Sequence, residues 1–173
     1  MKNFAALILV MALVSTSAIA QKFQPSPKSV LTQVVGTTEI KIDYHRPGLK
    51  GRTLESLITN GKVWRAGANQ ATEITFSKDV KIEDKIITAG TYSLYAIPEA
   101  SEWTIIINSK LSWGTQYNEA KDVIRFKGSV SKVNQPTETF TIDIADISKD
   151  GTKASIELRW GNVVVKAPFE VMM

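Results

Sequence analysis

Three short stretches of this 173-residue chain concentrate side chains able to do chemistry. The first, Tyr44-His45-Arg46-Pro47-Gly48-Leu49-Lys50-Gly51-Arg52, holds two arginines and the sole histidine. The second is Val63-Trp64-Arg65-Ala66-Gly67-Ala68-Asn69-Gln70, and the third is Ser112-Trp113-Gly114-Thr115-Gln116-Tyr117-Asn118. Trp64, Trp113 and Tyr117 offer flat apolar faces that stack on sugar rings. Asn69, Gln70 and Gln116 are amides that donate to and accept from hydroxyls. Arg46, Arg52 and Arg65 add forked donors matched to carboxylate or sulfate. Trp64, Arg65, Asn69, Arg46, Arg52, Tyr44, Trp113 and Tyr117 are therefore the candidate ligand-binding residues, for a glycan or another polar small molecule. The same types also serve as scaffold, with guanidinium groups bonding backbone carbonyls or pairing with Glu73 or Asp43, and tryptophan filling a core.

Catalytic readings have less to stand on. A serine triad needs a histidine, and no Gly-x-Ser-x-Gly elbow accompanies His45. Asp43 and His45 lie two residues apart, so on a strand they share a face and form the weak alternative for a metal site. A transition-metal centre takes three or four protein ligands, and no His-x-His or His-Glu-x-x-His pattern is present. Asp43, Glu73, Asp143 and Glu157 supply carboxylates for glycoside hydrolysis, a reaction decided by their separation in space. No cofactor is expected. Without cysteine the chain lacks thiolate nucleophiles, disulfides and sulfur ligands.

The elements that must position these stretches are strands. Ile40, Ile42 and Tyr44 alternate with Glu39, Lys41 and Asp43, the period of a half-buried strand. The pattern recurs in Thr72-Ile74-Phe76, Ile124-Phe126-Val130, Phe140-Ile142-Ile144, Ile156-Leu158-Trp160 and Val163-Val165-Ala167-Phe169. The run from Trp103 to Ile107 is apolar on both faces, as a central strand is. Asp150-Gly151 and Gly161-Asn162 read as hairpin turns, and Glu83-Asp84-Lys85 and the stretch 98–101 as further ones. One short helix is predicted between Thr53 and Asn60, with Thr53 as its cap and Leu54, Leu57 and Ile58 as its apolar face. About ten short antiparallel strands and one helix imply an all-β fold, a jelly-roll-like β-sandwich, with a β-barrel as the alternative.

The amino terminus reads as an export signal. A positive Lys2, an apolar run from Phe4 to Val14 and small residues at Ala18 and Ala20 place a cleaved signal peptide at 1–20, with the mature chain starting at Gln21. The run is too short for the roughly 20 residues of a bilayer span, so no membrane span is expected after cleavage. Residues 21–28, with Pro25 and Pro27, suit an extended lead-in, and 29–173 a single domain. The net charge of +4 comes from interspersed residues without a basic run, which argues against nucleic acid as a partner.

Read in order, Gln24-Pro25-Ser26-Pro27-Lys28, Asp43-Tyr44-His45-Arg46-Pro47, Gly51-Arg52, Trp64-Arg65-Ala66-Gly67-Ala68-Asn69, Ala89-Gly90-Thr91-Tyr92, Trp103 to Asn108 and Trp113-Gly114-Thr115 resemble an exported bacterial family catalogued as domain of unknown function 2911. The resemblance covers nearly all of the chain after the signal. It implies a periplasmic or secreted protein and no established activity. The family pattern carries serine where this chain has His45. The leading expectation is a non-catalytic binding domain. A carbohydrate-active or other hydrolytic enzyme, and a structural or interaction domain of the cell envelope, are the alternatives.

Overall fold

Alternation decides which side of each strand meets the core. In the strand Thr38–His45, Ile40, Ile42 and Tyr44 are buried while Glu39 and Lys41 face solvent. The computed structural model describes residues 23–172, so the expected export signal at 1–20 lies outside the described residues. Nine strands run β1 Lys28–Val35, β2 Thr38–His45, β3 Thr72–Phe76, β4 Val80–Ile82, β5 Lys85–Ile87, β6 Gly90–Ile97, β7 Glu102–Asn108, β8 Asp122–Ala145 and β9 Lys153–Val171. They form one antiparallel sheet in the order β1-β2-β3-β6-β7-β8-β9-β4-β5, with β1 and β5 as its edges.

The all-β expectation holds, and the sheet is not closed into a barrel. Its layers come from a single sheet that folds over its own core. The Tyr44 hydroxyl of β2 accepts a hydrogen bond from Ile142 N–H of β8 at 3.1 Å, although three strands, β3, β6 and β7, lie between the two in the sheet. Phe76 of β3 faces Phe169 of β9 with ring centroids 6.2 Å apart. The enclosed apolar cluster draws on every strand, from Val35 to Val171. Burial of that cluster is the main favourable term holding the fold together.

Three expectations need correction. The segments expected as separate strands around Phe126 and Ile142 are one strand, the 24-residue β8. The ladder to β9 shifts register between Lys132 and Thr137 and again before Thr141, a bulged region that holds Pro136, which has no N–H to pair. Likewise Gly161-Asn162 is no hairpin turn. β9 passes straight through it, and Gly161, at φ 57°, lies opposite Thr137 in the same irregular region. The predicted helix is a single 3-10 turn, Leu54–Ser56, without a side-chain cap from Thr53. A segment so short cannot repay helix nucleation. By contrast Asp150-Gly151 does turn β8 into β9. Gly151 sits at φ 69°, and the Asp150 carboxylate accepts from Ser148 and Thr152, which hold it at a pKa of about 2.

Candidate functional site

The second and third stretches meet over one cavity of about 360 Å³. Its floor is Tyr95 of β6. The chain leading into β3 supplies one wall with Val63, Trp64 and Arg65, and the loop before β8 supplies the other with Gly114, Thr115 and Tyr117. The backbone of Trp64 pairs with Ala96 through hydrogen bonds of 2.7 and 2.8 Å, so this wall extends the edge of β6.

Close packing fixes the first wall. Ala66 and Asn69 are non-glycine residues at φ 46° and 58°, a left-handed conformation that costs free energy and is retained where the surroundings dictate it. The Thr72 hydroxyl donates to Ala66 O at 2.6 Å, and a Cβ on Gly67 would lie 3.0 Å from His45 O. Trp64 is anchored from behind. Its ring stacks on Trp160 at 5.6 Å and 18°, and meets Phe140 edge-on at 4.9 Å and Trp103 at 6.2 Å.

A partly exposed hydrogen-bond network holds the second wall. The Tyr117 hydroxyl donates to Asp122 Oδ2 at 2.6 Å and accepts from Arg125 at 2.8 Å. Arg125 also bonds Asp122 and Glu119, and Asn108 donates to the other oxygen of Asp122 at 2.7 Å. Burial, followed by the bond to Asp122, pushes the Tyr117 phenol up to about 12, so it stays protonated. Its ring packs edge-on against Tyr95 at 5.0 Å. Gly114 lies over Arg65, where an added Cβ would strike Arg65 Cδ and come within 3.0 Å of Asn69 O.

Two groups in the cavity are left with bonding capacity. Tyr95 is 1% exposed, and its hydroxyl has no hydrogen-bond partner. Burying a hydroxyl in this way costs about 1–3 kcal/mol, and such a group calls for an explanation. Arg65 makes one long bond, to Asn69 O at 3.4 Å, and among the described residues it pairs with no carboxylate. No acidic side chain lines the cavity.

The remaining expected site residues lie elsewhere or at the margin. Arg46 donates to Phe140 O at 2.9 Å and Thr141 Oγ1 at 2.7 Å, tying the end of β2 to β8. Arg52 closes its own loop through Leu49 O and Gly48 O, and Tyr44 is buried on Ile142 and Phe140. Trp113 is on the third stretch but is not a lining residue, and it is 53% exposed. The Asn69 amide reaches back to Ser26 O at 3.4 Å.

Asp43 and His45 border a separate cavity of about 110 Å³ with Lys28, Gln70 and Glu73. Burial alone would raise the Asp43 carboxyl, but bonds from Lys28 at 2.7 Å and Lys41 at 2.8 Å hold it below its ordinary value. Burial, with Lys28 nearby, lowers His45. Among the described residues no group of three or more His, Cys, Asp or Glu is placed to hold a metal ion.

A further cavity, of about 400 Å³, lies between the 3-10 turn and the β6–β7 hairpin. Leu54, Ile58, Trp103, Val130 and Val163 give it an apolar lining, and its polar members, Glu55, Thr59, Asn60, Glu99 and Lys132, are all exposed. It offers a polar ligand no buried partner. Sequence reasoning missed Tyr95, which reads simply as a residue of a buried strand, and the network of Arg125 with Asp122 and Tyr117.

These features define the class: an all-β domain of one folded-over antiparallel sheet, with a donor-lined cavity under two loops. The chain belongs to the family described as Protein of unknown function (DUF2911), whose model matches residues 26–169. Neither a curated protein nor a solved structure matches it.

Proposed function

We propose that this protein is a non-catalytic binding domain for a polar small molecule or glycan, held in the cavity between Arg65 and Tyr117, and that it works outside the cytoplasm after export. The observation that carries the reading is convergence. Two stretches some fifty residues apart in sequence close over an unpaired, buried Tyr95 hydroxyl, with an unpaired arginine at one wall. The volume lies in the roughly 300–1,000 Å³ range of small-molecule sites, and a mostly apolar lining with a few placed polar groups is what such sites use.

The hydrolytic alternative needs two carboxylates facing across a cleft, about 5–10 Å apart. Asp43 and Glu73 are cross-strand neighbours at the smaller cavity, but Asp43 is already committed to two lysines. Glu157, opposite Asp143, is tied to Arg159 and Lys166. Neither pair stands over the donor-lined cavity.

Thermal-shift screening of the purified protein against a panel of mono- and oligosaccharides tests the reading. At least one should raise Tm in the parent, and Arg65→Ala should abolish that rise. A panel without any shift, or a shift that survives Arg65→Ala, rejects it.

A further inference from the structure

We infer that the ligand carries an oxyanion, and that Arg65 and the Tyr95 hydroxyl bind it; this rests on the binding reading above and narrows it to a chemical class. The argument is a count of donors and acceptors. Arg65 brings five N–H groups, of which one is engaged, and that at 3.4 Å. The Tyr95 hydroxyl, buried and unpartnered, has a proton to give. Thr115 adds a hydroxyl from the facing loop. Tyr117 does not compete, because its proton goes to Asp122 and Arg125 bonds its oxygen.

Against these donors the lining presents no carboxylate and no side-chain amide. A neutral sugar needs acceptors for its own hydroxyl protons, and here it would find few. A carboxylate or sulfate is acceptor only and matches the lining atom for atom. A charge-assisted bond from the Arg65 guanidinium to an oxyanion is stronger than a neutral one. The shared chemistry is therefore an oxyanion, and a uronic acid or a sulfated sugar supplies it.

Matched pairs test this by titration calorimetry on the purified protein. Glucose against glucuronate and galactose against galacturonate isolate a carboxylate. N-acetylglucosamine against its 6-sulfate isolates a sulfate, so the two arms tell the sources apart. At least one anionic member should bind ten-fold or more tighter than its neutral partner, and weaken as salt rises. Arg65→Gln should erase that preference, and Arg65→Lys should keep part of it, because charge remains while the fork is lost. Tyr95→Phe should weaken the anion several-fold without lowering the Tm of the free protein, since the lost hydroxyl had no partner. A scaffold role for that hydroxyl would lower Tm instead.

Equal affinity for neutral and anionic members overturns the inference and leaves the polar-ligand reading standing. A preference unchanged in folded Arg65→Gln, checked by circular dichroism, overturns it also. Absence of binding by every sugar of either kind overturns both.

Discussion

Trp64→Ala separates scaffold from site within a single pair of neighbours. The ring contacts Trp160, Phe140 and Trp103 at centroid distances of 5.6, 4.9 and 6.2 Å on the core side of the sheet, and the residue is half-buried. Large-to-small changes at buried aromatic residues cost about 3–5 kcal/mol, and partial exposure puts Trp64 at the low end, about 3 kcal/mol. The backbone pairing with Ala96 survives the change, because it uses only N–H and C=O. For a domain of this size each kcal/mol moves Tm by roughly 2–4 °C, so Trp64→Ala should fall by roughly 6–12 °C. Its neighbour should behave otherwise. Arg65→Ala removes one long hydrogen bond and no ion pair, and Tm should move by less than about 2 °C. Thermal unfolding followed by circular dichroism, with urea midpoints as a second measure, reads both. A Trp64→Ala protein within about 2 °C of the parent would refute the claim that three aromatic contacts anchor this wall.

Two further outcomes follow from local geometry. Gly114→Ala forces its methyl against Arg65 Cδ and to within 3.0 Å of Asn69 O and 3.2 Å of Ala71 N. Stability should drop by about 1–3 kcal/mol, and any ligand-induced Tm rise should shrink with the displaced arginine; an unchanged urea midpoint would count against the close approach. His45 is buried on β2 opposite Lys28 of β1, with Asp43 and Glu73 around the same cavity, and its pKa is lowered. The unfolded chain then binds a proton that the folded one refuses, so stability should fall as pH drops below the ordinary histidine value of 6.5. His45→Asn should flatten that part of the profile. The lowered Asp43 adds a separate loss only below its own ordinary value of 3.8. Equal slopes between pH 5 and 7 in parent and variant would remove His45 from the account.

Period-two alternation made most strands legible, because a strand with one buried face advertises it: Ile40, Ile42 and Tyr44 point inward as read. Trp103 to Ile107 was legible for the opposite reason, being apolar on both faces and lying between β6 and β8. The continuity of β8 and β9 was not. Pro136 and Gly161 carry turn chemistry in isolation, and only their facing positions across one ladder turn two apparent breaks into one bulged region. The candidate site was half legible. Residue types picked out both walls of the cavity, but whether they met depended on the adjacency of β3, β6 and β7, which no local pattern encodes. Arg46 and Arg52 look the same as Arg65 in sequence. What distinguishes them is that carbonyls of Phe140, Leu49 and Gly48 already occupy their donors. Tyr95 was invisible for a similar reason, since a hydroxyl lacks a partner only by virtue of what the folded loops fail to supply.

The last strand has a consequence for the order of events during synthesis. Val80 and Lys81 of β4 pair with Val171 and Glu170, at the far end of β9. Val80 and Lys81 are thus made about ninety residues before the Val171 and Glu170 that receive them, and β8 must also wait for β9 to cover its open edge. A chain made only to residue 145 lacks eight core side chains of β9, among them Ile156, Leu158, Trp160 and Phe169, and its β8 and β4 each keep an unpaired edge. Such a chain is exposed to edge-to-edge association until Glu170 and Val171 emerge. A premature stop or a clip before Glu170 would leave most of the sheet intact while setting the hairpin adrift, so a few residues at the end govern whether the whole can be completed.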